Sequence, residues 1–216
     1  VFLLVSTLLK LAKDWFVVKD KAMSLMQENH QVQLSSLKSR INPHFLFNSL
    51  NNIYALSNDS PEAVRNYILK LSDALRYMIY ETDEDLVILQ DELDYLSDYI
   101  ALEKLRMSTP EKINYSFPND VSELIAPMLL LPIVENCFKH VDKKSPFIDI
   151  IIEIAGTHLT MTSRNTFQVQ SEGAVGGLGI DNLRKRLQLL YPNKHHLEAS
   201  RKDGIYTSHM TIDLIQ

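Results

Sequence analysis

The sequence predicts an α+β protein in which an N-terminal helical hairpin closes as a dimeric four-helix bundle and an α/β sandwich follows. Three observations predict it. Glycine and proline are scarce, 6 and 8 in 216 residues, about half the usual share, which favours long helices. No glycine precedes Gly156, and four of the six lie between Gly173 and Gly179. Beyond about residue 109 the apolar residues stop recurring every three or four positions and begin to alternate, which is the change from helix to strand.

The first segment, 1–16, opens with the apolar run Val1–Leu9. That run is shorter than the roughly 20 residues a membrane helix needs. Lys10, Lys13, Lys19 and Lys21 follow it, with Trp15 and Phe16 between them. Basic residues and an interfacial tryptophan after an apolar run fit the cytoplasmic end of a truncated transmembrane helix. The start of an amphipathic or coiled-coil helix fits the same residues.

Residues 17–108 are expected to form the helical region. One long helix is predicted from about 17 to 58, disturbed at Pro43, with Leu34, Leu37 and Ile41 on a seam. Asn58-Asp59-Ser60-Pro61-Glu62 breaks and restarts the chain: Ser60 can cap, Pro61 suits a first turn, and Glu62 favours the positive helix end. The next helix places Val64, Ile68, Leu71, Leu75 and Met78 on an apolar seam. One hairpin cannot bury two seams, so a second copy is expected to complete a four-helix bundle. A third helix is predicted from Asp91 to Met107 and ends at Thr109-Pro110.

Residues 109–216 read as the sandwich. Strands are expected at 113–117, 147–155, 159–165, 197–200 and 205–214, with a buried helix within 125–140 and another at 180–190. Asp203-Gly204 is a hairpin turn signal.

Composition narrows the function. Lys+Arg 22 against Asp+Glu 27 gives a net charge of −5, which argues against a general electrostatic grip on nucleic acid. The single Cys137 excludes an intramolecular disulfide framework and a multi-cysteine zinc site.

Three constellations can carry chemistry. In Ile41-Asn42-Pro43-His44-Phe45-Leu46-Phe47-Asn48 a histidine stands beside a proline in a helical stretch. Neutral imidazole is nucleophilic near pH 7, and Asn42 or Asn48 could hold one ring nitrogen. A plain helix kink with a surface histidine reads equally from these residues. In Leu131 to His140, the side chains of Asn136, Lys139 and His140 fall on one helical face. An amide oxygen, an ammonium and an imidazole together suit Mg²⁺ and phosphate oxygens. An amphipathic helix with a basic C-terminal end is the simpler account. Gly173 to Gly179 runs into a helix start, which is a phosphate cradle or a capped flexible loop. It is neither a Walker A loop nor a dinucleotide fingerprint. His195-His196 follows a Pro-Asn turn and reads as solvent-exposed.

Taken in order, these stretches resemble the LytS/YehU-type sensor histidine kinases of two-component systems. The matching residues are Ile41 to Asn48, Leu93 through Tyr99 to Glu103 and Arg106, Pro132 to Asn136, and Gly177 through Leu187 to Tyr191. The resemblance implies an ATP-binding sandwich of the gyrase/Hsp90/histidine-kinase type at 109–216. It implies His44 as phosphoacceptor, Asn136 as a ligand of Mg²⁺ bound to ATP, Lys139 and His140 near the phosphates, and Gly177 and Gly179 in an ATP lid. It also implies a homodimer at the bacterial cytoplasmic membrane with this region in the cytoplasm. The expected partner is a response regulator, in this family often one with a LytTR-type DNA-binding output, with no direct nucleic-acid contact by this chain.

The sequence departs from the family at Asn165, which stands where an adenine-reading aspartate is usual and has no glycine motif behind it. Leu131 and Val141 replace a common Gln and Gly, and no acid directly follows His44. Glu135 is a candidate base only through its place beside Asn136. A pseudokinase signalling dimer with weak or no ATP turnover is the alternative that the Asn165 departure suggests.

Overall fold

A computed structural model of the chain describes residues 15, 19, 21, 43–57, 60–80, 84–107, 109–142, 144–167 and 177–214. The chain divides into two units, Val1–Leu46 and Phe47–Gln216. In the first, Trp15, Lys19 and Lys21 are helical, and the Lys19 ammonium stands 5.1 Å from the Trp15 ring centre. The membrane reading of 1–16 otherwise lies outside the described residues. Among those described, no helix is long and apolar enough to cross a membrane.

Helix α1 is Pro43–Leu56. Pro43 is the first of its described residues. Upstream of it, only Lys19 and Lys21 of the expected helix are among the described residues. Helix α2, Pro61–Tyr80, starts as the sequence suggests, with Ser60 Oγ accepting the Ala63 N–H at 3.2 Å.

The buried face of α2 is Tyr67, Leu71, Ala74, Tyr77 and Met78. The predicted seam shares only Leu71 and Met78 with it, and Ile68 is 47% exposed. Tyrosines cause the rotation. Tyr77 stacks on Tyr95 at 4.8 Å between ring centres, Tyr67 takes a hydrogen bond from Asn52 at 3.0 Å, and Lys70 pairs with Asp98 at 2.5 Å. Helix α3, Leu89–Lys104, carries Tyr95 and Asp98 and buries residues on more than one face, including Leu93, Leu96 and Ile100.

A two-residue strand, β1 (Val87–Ile88), leads into α3 and pairs antiparallel with β3 (Leu124–Ile125). Between them lies β2, Ile113–Ser116. Helix α4 is Leu131–His140. The buried helix predicted within 125–140 is therefore shorter at its start. Pro127 disfavours helix for its predecessor, and Met128 takes a left-handed φ of 56°, so residues 126–130 form a loop.

Strands β4 (Ile148–Ala155) and β5 (His158–Thr166), helix α5 (Gly177–Leu190), and strands β6 (His195–Lys202) and β7 (Ile205–Asp213) complete the chain. The main sheet runs β2-β4-β5-β7-β6, with β2 and β4 parallel and every other pair antiparallel. Asp203 and Gly204 both have positive φ, 51° and 75°, as the tight turn of the β6–β7 hairpin requires. Along β5 and β7 alternate side chains are buried, with α4 packed on β5 and α5 on β6.

Candidate nucleotide site

The covered face of the sheet changes character along its length. The cross-strand pairs of β5 and β7 on that face are Leu159 with Ile212, Met161 with Met210, Ser163 with Ser208, and Asn165 with Tyr206. All eight are buried. Two apolar pairs are thus followed by two polar pairs, and the polar end is where β5 terminates. Ser163 and Ser208 hydroxyls bond each other at 2.8 Å.

Asn165 is fully buried. Its amide nitrogen donates to the Thr166 carbonyl at 2.9 Å, which leaves Oδ1 as the free acceptor. That oxygen has no hydrogen-bond partner among the described residues, and neither has the Tyr206 hydroxyl. A buried acceptor without a donor costs about 1–3 kcal/mol, and native proteins hold few of them. An exocyclic amine would satisfy Oδ1. The residue therefore fits the adenine role that the sequence implies.

Helix α4 borders this end of the sheet. Pro132 lies in its first turn, and Leu131, Ile133, Val134, Cys137 and Phe138 are buried. The Cys137 thiol is pushed up to about 12, by burial above all, with the Ser163 hydroxyl opposing. Cys137 thus marks the sheet side of the helix. Glu135 marks another side: after burial and Glu92, its charge raises the Tyr95 phenol, and after burial and Glu103, it raises that of Tyr99. At about 100° per residue, Asn136, Lys139 and His140 occupy the sector between those two sides. Asn136 is half-buried, while Lys139 and His140 are exposed.

Burial, then the Lys139 and Arg201 cations, lower the His140 imidazole below its ordinary value. These effects favour the neutral imidazole. Val141, the residue after the helix, bridges to Phe167, which joins the end of α4 to the end of β5. Arg201 lies over the Phe167 ring at 5.3 Å and pairs in register with Tyr206. Arg201 and Tyr206 were missed in the sequence; the alternation of β7 carries a signal for Tyr206 alone.

Gly177 and Gly179 lie in the first turn of α5, and a Cβ built at Gly179 meets open space. The glycines at 173 and 176 lie outside the described residues. His44 lies in α1 and belongs to the first unit.

Comparison with known proteins adds three findings. The histidine kinase family profile matches residues 32–111. The sensor histidine kinase YpdA of Escherichia coli (strain K12) is 30% identical over 190 residues, 82% of this chain and 34% of the relative. The sensor protein LytS of Staphylococcus haemolyticus (strain JCSC1435) is 30% identical over 198 residues, with the same two shares. The chain thus spans about a third of the length of these relatives. Among solved structures, Acinetobacter baumannii histidine kinase AdeS superposes with a TM-score of 0.44 at 11% identity, over 85% of this chain and 95% of that one.

Proposed function

Since the chain belongs to the LytS-type sensor histidine kinases, we propose that it transfers the γ-phosphoryl group of ATP to His44 and then to an aspartate of a response regulator. The observation that carries this reading is the buried, partnerless amide oxygen of Asn165 at the polar end of the sheet. It accepts a hydrogen bond from the adenine amine. Asn136 would hold a Mg²⁺ ion through its amide oxygen, a ligand of the kind this ion prefers. Bound Mg²⁺ would neutralise charge developing on the transferred group. Lys139 supplies a cation to the phosphates, and neutral His140 a ring N–H. Gly177 and Gly179 would offer backbone N–H groups to the phosphates.

In the transfer, an imidazole nitrogen of His44 forms a bond to the γ-phosphorus while the bond to the bridging oxygen breaks. ADP leaves with that electron pair, and the imidazole proton passes to a base, for which Glu135 is the candidate. The regulator's aspartate then takes the phosphoryl group from the histidine. The chain works as a homodimer at the bacterial cytoplasmic membrane, facing the cytoplasm, and its regulator carries a LytTR-type output. Helical residues 17–108 serve dimerisation and residues 109–216 ATP binding.

Incubation with γ-labelled ATP and Mg²⁺ tests the reading. Acid-labile, base-stable label that disappears in His44→Gln is expected. ATP binding without any such label would favour the pseudokinase, for which the neutral Asn165 is the specific observation.

A further inference from the structure

Five consecutive residues ahead of α4, Ala126–Leu130, are held from two sides. From α3, Glu92 reaches up: one carboxylate oxygen accepts the Met128 N–H at 2.8 Å and the other the Leu130 N–H at 3.2 Å. From α2, the Tyr77 hydroxyl donates to Glu92 at 2.5 Å. From α5, Arg186 donates to the Pro127 and Met128 carbonyls at 2.9 and 3.0 Å. The Tyr191 hydroxyl accepts the Ala126 N–H at 2.9 Å. Met128, in its left-handed conformation, is gripped at both its N–H and its C=O.

Leu130 is the cap residue of α4, and α4 has no side-chain cap of its own. Ser, Asn or Asp at that position would tie a helix start to itself. Here the acceptor comes from a fully buried carboxylate 38 residues away. A local cap fixes a helix internally; a cap from α3 fixes α4 to α3, and the Tyr77 hydroxyl extends that tie to α2.

We propose that Glu92 is a positioning residue for phosphoryl transfer: held by Tyr77 and opposed by Arg186, it sets the placement of α4 and hence of Asn136, Lys139 and His140. Displacement of α2, the helix that follows the His44 helix in the chain, then reaches the nucleotide face through one hydroxyl. The role in transfer rests on the kinase reading above; the mechanical tie does not.

The test uses Tyr77→Phe, which keeps the ring and its stack on Tyr95 and removes only the hydroxyl, and Arg186→Lys, which keeps the charge and loses the fork. Hydrogen exchange on the ligand-free chain should speed up about 2- to 12-fold at the Met128 and Leu130 amides and in the first turn of α4, the factor that one lost hydrogen bond gives. Exchange in β4 and β5 should stay as in the parent. ATP should bind Tyr77→Phe about 2- to 12-fold more weakly in the presence of Mg²⁺, and the double variant should lose less than the product of the two single losses, because both act on one loop. Unchanged exchange at Met128 and Leu130, or equal acceleration across the whole sheet, would overturn the tie. Local acceleration with unchanged ATP affinity, or fully multiplicative losses, would overturn positioning. A parent chain that binds no ATP would overturn the kinase reading instead, and the exchange arm would then decide the tie alone.

Discussion

Asn165 shows why an amide, and not a carboxylate, occupies its position. Its Nδ2 already donates to the Thr166 carbonyl, so Asn165→Asp would set a carboxylate oxygen against that carbonyl and should lower the melting temperature. Asn165→Ala should weaken ATP about 2- to 12-fold, the worth of a neutral hydrogen bond. It should also narrow any preference for ATP over GTP, whose ring carries a carbonyl where adenine has its amine; titration of both nucleotides against both proteins measures this. Cys137 gives a second expectation. Its thiol is raised from 9.0 to about 12, so the unfolded chain releases the proton first. The stabilising difference is whole below pH 9 and is lost as pH rises towards 12, by up to about 1.4 kcal/mol per pH unit. Denaturant melts at pH 8, 9 and 10 should show that decline, shallower in Cys137→Ala. Burial raises the phenols of Tyr77, Tyr95 and Tyr99 in the same direction, so a further decline common to both chains should begin above about pH 10.

Among the elements, the strands were the most legible in the sequence. Their patterning gave β4, β5 and β7 nearly to the residue, while Asn165 was singled out by the family resemblance; its side of the sheet follows from the period of two only once the burial of β5 is known. The seam read for helix α2 overlaps its buried face at Leu71 and Met78 and misses its tyrosines. Its tyrosines are amphipathic, and only the partners Glu92, Tyr95 and Asn52 decide that they turn inward. Glu92 itself was illegible: its partners are backbone groups and side chains on other elements, and local spacing carries no trace of such bonds. The outer face of α1 has Phe47, Leu50 and Tyr54 at 68%, 51% and 77% exposure, three residues at helical spacing with no cover in one copy. That face suits the second copy of the proposed bundle. Leu50→Glu should shift the chain towards monomer at micromolar concentration in light scattering, and an unchanged mass would place any dimer interface elsewhere.

Taken whole, the Phe47–Gln216 unit is bonded across the point where the sequence pattern changes. The Lys104 ammonium donates to the Ile113 carbonyl at 3.0 Å, the Leu89 N–H to the Glu123 carbonyl at 2.8 Å, and β1 pairs with β3. A fragment starting at Thr109 would lose all three along with the Glu92 grip, and should fail to give a cooperative melt. One starting at Glu84 would keep them and should melt cooperatively, as calorimetry can check.

The ladder of β5 against β7 has one more consequence. A one-residue slip of β7 would throw Tyr206 and Ser208 to the opposite face of the sheet and dismantle the polar end along with the dry one. On the proposed reading, recognition of a base then depends on correct strand registry, and a mispaired chain should fail to bind nucleotide. Any ligand that reads Asn165 would act as an inspector of folding: at a hundred times its dissociation constant it favours the properly threaded chain by about 2.7 kcal/mol, so a larger share of copies would stand correctly paired where that ligand is abundant.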